Sequence, residues 1–223
     1  PHIWKHKFLG KELCSLAIPL TSNRVLMNLL QSVETISIPI CLQAFGYSNS
    51  EALSTYGVLT GMALPCIMFP TALTNSISTM LLPTVAEIQA ENRINRLRQL
   101  IQRVILFGFG LGSLCGLLFL IGGNWVGAIL FDSGLAGDFI QTLAWICPFL
   151  YMNNTLISIL NGLGKANSSF LINVCSLSVR ICGVWFFIAL WGMHGYLNGL
   201  LVSQLLISIL CIWELMHYIK KRC

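Results

Sequence analysis

Charge is scarce in this chain, and carboxylates are the scarcest part of it. Asp, Glu, Lys and Arg together make up 9% of the 223 residues, against about 25% in an ordinary soluble domain. A normal water-facing surface is therefore excluded. No apolar stretch carries a pair of aspartates, and no H-E-x-x-H occurs, which removes the usual acid–base and zinc-helix arrangements. His2, His6, His194 and His217 lie at ends or in loops without metal-ligand spacing. Nine cysteines contain no C-x-x-C. Eight of them (Cys14, Cys41, Cys66, Cys115, Cys147, Cys175, Cys182 and Cys211) lie in or beside apolar segments and read as small hydrophobes. Cys223 reads as a cytoplasmic thiol, and no disulfide framework follows. NGLGKA, around Lys165, lacks the first glycine of a phosphate loop and has Ala166 where Ser or Thr is required. No enzyme activity, cofactor or metal is expected.

What the chain has is apolar length. Hydrophobic residues make up 56% and the mean hydropathy is +0.77. Six segments stand out, approximately Leu13–Gln43, Ala52–Pro83, Val104–Ile121, Phe139–Leu160, Phe170–Leu190 and Tyr196–Met216. A spanning helix needs about 20 mostly apolar residues, so six spans consume most of the chain. The fold class expected is all-α, a polytopic membrane bundle. Lys5, Lys7, Lys11, Arg93, Arg96, Arg98, Arg103, Lys165, Lys220, Lys221 and Arg222 fall in alternate connections and at the two ends. The remaining connections hold only Glu51, Asp132 and Asp138. Basic loops are cytoplasmic, which puts both termini inside. The same rule accounts for the net charge of +5 without a nucleic-acid partner. The chain begins at Pro1 without a signal-peptide layout, as expected of a fragment or a trimmed chain.

The first two segments are long and contain helix breakers: Pro19 and Pro39 in the first, Pro65, Pro70 and Pro83 in the second. Interrupted helices of this kind are common in transporters. The polar stretch 85–103 repeats Ile94, Leu97, Ile101 and Val104 at helical spacing. It is expected to lie on the cytoplasmic interface as an amphipathic helix, attracted to membrane lipids. Gly112 and Gly116 form a G-x-x-x-G in the third segment, which permits close helix approach. Gly122–Phe131 is placed at the outer interface, anchored by Trp125.

Five segments carry a polar face at helical spacing. These are Thr21, Arg24, Asn28, Gln31 and Thr35 with Glu34 at the edge; Thr71, Asn75 and Ser78; Asn154, Ser158 and Asn161; Ser169, Asn173, Ser176 and Arg180; and Gln204 with Ser208. Facing lipid, such groups would lack partners at several kcal/mol each. For the Ser and Thr residues, hydrogen bonds between helices suffice as an explanation. A mid-span arginine is costlier, about 2.5–3.5 kcal/mol on insertion scales. Snorkelling is one account of Arg180, and a pair with Glu34 one account of Arg24. Ten positions on one helix separate the latter two by ~15 Å, so that pairing requires two helices. The alternative is a substrate path, for which the candidates are Arg24, Asn28, Gln31, Glu34, Asn75, Asn173 and Arg180. An arginine fork binds two phosphate oxygens at once, and Glu34 is placed to titrate or bind a cation.

Four strings, GVLTGMALPCIMFP (57–70), LTNSISTMLLPTVAE (73–87), CPFLYMNNTLISILNGLGK (147–165) and MHGYLNGLLVSQLL (193–206), resemble the stage V sporulation protein B family. That family belongs to the polysaccharide-exporter branch of the MOP superfamily, relatives of MATE transporters and lipid II flippases. The resemblance implies one six-helix lobe, residues 1–223, of a two-lobe transporter whose N-terminal lobe is absent or is replaced by a second copy. It also implies a bacterial inner-membrane protein whose substrate is an anionic lipid-linked saccharide for spore cortex formation. A MATE-type drug or cation exporter and a non-transporting scaffold for wall-synthesis enzymes are the rival expectations.

Overall fold

The computed structural model describes residues 2–91 and 93–222, with the helical backbone alone described for 2–22 and 222. Lys5, Lys7, Lys11, Cys14, Thr21, Arg222 and Cys223 therefore lie outside the described side chains. No strand occurs among the described residues. The helices are α1 (His2–Phe45), α2 (Asn49–Val58), a π turn (Leu59–Ala63), α3 (Leu64–Met68), α4 (Thr71–Ala90), α5 (Ile94–Phe131), α6 (Gly134–Ala144), α7 (Cys147–Gly162), α8 (Ala166–Trp191) and α9 (Met193–Arg222). Four helical stretches, Asn23–Phe45, Ile94–Phe131, Ala166–Trp191 and Met193–Lys221, are each long and apolar enough to cross a membrane. Two bent pairs raise this to six: Asn49–Met68 with Thr71–Ala90 at 57°, and Gly134–Ala144 with Cys147–Gly162 at 59°.

Proline explains both bends. Pro70 sits at the α3–α4 break and Pro148 in the first turn of α7. A proline there offers no N–H to the preceding turn. The second segment is thus interrupted as expected, and the π turn adds a wider loop of backbone just before Pro65. The break within the fourth segment was not anticipated. Pro39 and Pro83, in contrast, are absorbed inside α1 and α4.

The expected interfacial helix over 85–103 is not one element. Residues 85–90 finish α4, Arg93 leaves the helical region, and 94–103 open α5. Leu97, Ile101 and Val104 turn inward and are buried. Their apolar stripe packs into the protein core formed with α7 and α9. Nor does the third span stop near residue 121. It runs on to Phe131, because Gly123 and Gly127 pack against α6, Gly127 against the backbone of Gly137. NGLGKA is a helix stop: Gly164 has φ +71, and Lys165 N–H donates to Leu160 O at 3.0 Å, the closing bond of a glycine C-cap.

Gly108, Gly112 and Gly116 form a smooth strip on α5 against α6 and α7. A Cβ on Gly112 would meet Cys147 O at 2.7 Å and Pro148 N at 2.9 Å, and one on Gly116 would meet Ala144 O at 2.8 Å. The expected G-x-x-x-G approach is present, extended one turn toward Gly108.

Two apolar cores fill the bundle. One includes Ile38, Leu42, Leu59, Ile67, Tyr151 and Ile188; the other includes Val85, Leu97, Leu156, Ile172, Cys211 and Leu215. Along α7, α8 and α9 each helix passes from one core to the other through a short polar stretch. The basic connections lie at the end of the second core, where Lys165 Nζ meets Glu214 Oε1 at 2.5 Å.

A Gly112→Leu variant is expected to lose roughly 1–3 kcal/mol through overpacking, read as a lower thermal midpoint in detergent. Gly110→Leu, with open space at the same atom, should unfold like the parent.

Candidate functional site

The polar stretches converge between the two apolar cores. Asn153 on α7 donates to Gln204 O and Gln204 Oε1 on α9 at 2.8 and 2.9 Å. Its own Oδ1 accepts from Ser208 at 2.7 Å. Asn154 donates to Thr74 at 3.4 Å and to Asn75. Ser158 donates to Ser78 O at 2.5 Å, and Ser176 to Ser203 O at 3.1 Å. Tyr151 donates to Ile67 O at 2.8 Å, satisfying a carbonyl at the α3–α4 break. For these side chains the interhelical hydrogen-bond reading is what the structure contains.

Beside this band lies a cavity of about 380 Å³. Gln31, Glu34 and Thr35 of α1, Tyr56 and Thr60 near the π turn, Arg180 of α8, and Tyr196 and Gln204 of α9 supply its polar lining. Ile38, Leu64, Ile67, Leu143, Ile146 and Leu200 supply much of the apolar wall. Glu34 is only 4% exposed. It accepts from Arg180 Nη2 and from the Tyr196 hydroxyl, the latter at 3.0 Å. Arg180 Nε is buried with no hydrogen-bond partner. A half-buried guanidinium thus offsets a buried carboxylate while its buried Nε keeps one unused donor.

Of the expected site residues, the structure brings together Gln31, Glu34 and Arg180 in this cavity. Arg24 and Asn28 are exposed on α1 outside it. Asn75 is exposed and bonded to Asn154, and Asn173 is half-buried elsewhere on α8. Glu34 pairs with Arg180 and not with Arg24, and Arg180 turns inward to that partner, so snorkelling is not needed to explain it. Sequence reasoning missed Tyr196, Tyr56 and Thr60. Tyr196 had a signal: the Gln204–Ser208 pair, extended back by fours, passes Leu200 and reaches Tyr196.

Helix α1 has three distinct faces. Glu34, Ser37, Ile38 and Cys41 are buried, mainly against α8. Val25, Leu29, Val33, Ile36 and Ile40 form an exposed apolar face. Arg24, Asn28, Gln31 and Thr35 form an exposed polar face between them. Exposed Asn75, Ser76 and Thr79 add a polar strip on α4.

Removing one member of a buried pair strands the other, at about 3–5 kcal/mol. Arg180→Gln, which strands the buried Glu34 carboxylate, should lower detergent stability by an amount in that range, and Glu34→Gln, which leaves a guanidinium 23% exposed, by less. The double variant should lose less than the sum, and additive losses in a double-mutant cycle would show that the two groups do not interact. Tyr196→Phe should cost roughly 1 kcal/mol, one hydrogen bond.

Comparison with known proteins matches this architecture. Stage V sporulation protein B of Bacillus subtilis is 22% identical over 202 residues, which are 89% of this chain and 39% of that protein. Sporulation protein YkvU of the same organism is 26% identical over 179 residues, 78% of this chain and 39% of that protein. The chain thus spans about two fifths of the curated relatives it matches. Among solved structures, the bent form of the Vibrio cholerae MATE transporter VcmN superposes with a TM-score of 0.73 at 16% identity, covering 90% of this chain and 45% of that one. A MOP superfamily transporter from Pyrococcus furiosus, described as having a binding pocket of reversed polarity, gives 0.69 at 18% identity, covering 88% and 43%. The sequence model of the MatE family matches residues 24–186, more than half of the chain, and the chain, a multi-pass membrane protein, belongs to that family.

Proposed function

We propose that this chain is one lobe of a flippase that moves an anionic lipid-linked saccharide across the bacterial plasma membrane, with its basic end cytoplasmic. The observation that carries the reading is the three-faced α1. Its exposed apolar face suits lipid, but exposed Arg24, Asn28, Gln31 and Thr35 do not, since polar groups in hydrocarbon lack partners. That stripe needs water or protein against it. A facing lobe, or a second copy, would enclose it as the wall of a hydrated cleft. Both superposed transporters have about twice the length of this chain, which leaves room for such a partner. Rocking of two lobes about a mid-membrane site is a common means of alternating access.

Charge decides among substrates. Glu34 and Arg180 offset each other, which leaves Arg24 as the uncompensated charge on the α1 stripe among the described residues. A net positive wall favours phosphate or another anion over the cation of a drug exporter. Both curated relatives are named as sporulation proteins, which supports spore cortex assembly as the setting. A scaffold for wall-synthesis enzymes would not need Arg24 at all.

The experiment is complementation of a Bacillus strain lacking stage V sporulation protein B, using the full protein that carries this lobe at matched membrane levels. Arg24→Gln should cut cortex formation by about tenfold, the worth of one charge-assisted contact, and Arg24→Lys should restore part of it. Normal cortex with both variants would overturn the reading in favour of the scaffold. Loss with Glu34→Gln but not with Arg24→Gln would favour a cation exporter.

A further inference from the structure

A second cavity lies away from the polar band, at the basic end of the bundle. Helices α5 and α9 part there and leave a groove of about 340 Å³. Its α5 wall is Arg98, Ile101, Gln102 and Ile105; its α9 wall includes Ile212, Met216, Ile219 and Lys220. Both walls follow helical spacing, so each is one continuous stripe.

The two stripes share a polarity. Arg98 stands at the N-terminal end of its stripe and Lys220 at the C-terminal end of its own, and the helices run in opposite directions. The two cations therefore occupy the same mouth. From Arg98 to Ile105 the rise is ~10 Å, and from Lys220 back to Ile212 it is ~12 Å. The groove is cationic at its opening and apolar for about two helical turns below. No carboxylate lines it, and among the described residues neither Arg98 nor Lys220 forms an ion pair.

Its level in the membrane follows from α5. The 38 residues of that helix rise ~57 Å, nearly twice the ~30 Å hydrocarbon core. Arg103 is the last charged residue before an uncharged run that reaches Phe131. Hydrocarbon therefore begins near Val104, and Arg98 lies ~9 Å beyond it, at headgroup depth. Ile105 and Ile212 lie at the acyl boundary.

We propose that this groove is a binding site for an anionic phospholipid, with Arg98 and Lys220 on its phosphodiester and the isoleucine-lined walls around the upper part of one acyl chain. Charge complementarity selects this occupant. A zwitterionic lipid would bring its own ammonium to a mouth that already holds two cations and no carboxylate. The site is separate from the Glu34–Arg180 cavity, and the inference stands whatever the protein transports.

The test uses the purified protein in nanodiscs of equal parts phosphatidylglycerol and phosphatidylcholine, with retained lipids counted by native mass spectrometry. The parent should retain phosphatidylglycerol in preference by about tenfold or more, as two basic residues at a membrane surface allow. Arg98→Gln with Lys220→Gln should bring the ratio near parity. The control is Arg96→Gln with Arg103→Gln, which removes two charges from the opposite face of α5 and should keep the preference. Equal losses in the two double variants would overturn the site in favour of diffuse surface attraction. No preference in the parent, or a groove covered by a second copy that excludes lipid, would overturn it outright.

Discussion

The absence of water from a bilayer core is the constraint on which the rest depends. Every polar group placed at mid-depth must find its partner within the protein or in a water-filled cleft. This chain places many there, in a band between two apolar cores. The most demanding members are Glu34 and Arg180, brought together from helices 146 positions apart in sequence. Their pairing holds α1 against α8, and Tyr196 ties α9 to the same carboxylate. Asn153, Asn154, Ser158, Ser176 and Ser208 repeat the arrangement with uncharged groups, bonding α4 to α7, α7 to α9, and α8 to α9.

The broken helices belong to the same account. Pro70 brings no N–H to the turn before it; Phe69 N–H donates to Cys66 O there at 3.3 Å, and Tyr151 from α7 donates to the neighbouring Ile67 O. The π turn and the α3–α4 bend both border the cavity, so the irregular backbone lies where polar side chains and space are available. The glycine strip on α5 works in the opposite sense. It adds no polar group but lets α6 and α7 approach backbone to backbone, which holds the bent fourth span rigidly beside the cavity. Regular packing on one side of the lobe thus supports irregular, polar structure on the other.

Much of the fold was legible beforehand. Six apolar segments were enough to give an all-α bundle with helices in nearly the right places, because a bilayer permits few other structures. Gly112 and Gly116 announced a close packing face by spacing alone. The stripe on 94–104 was read at the right period but turned toward the wrong neighbour, since periodicity defines a face without saying what covers it. The same limitation governed the site. Arg24 and Arg180 look equivalent as mid-span arginines, yet one is exposed and the other is neutralised by Glu34.

Composition, hydropathy and the distribution of lysine and arginine determined that this is a helical membrane protein with a basic end, because those properties are sums over local residues and a bilayer sorts them by energy. Only the tertiary structure decided which polar groups are satisfied, that Glu34 belongs to Arg180 and Tyr196, and that the exposed side of α1 divides into an apolar and a polar half. Those outcomes depend on which helices become neighbours, a relation among distant segments that no spacing within one segment contains.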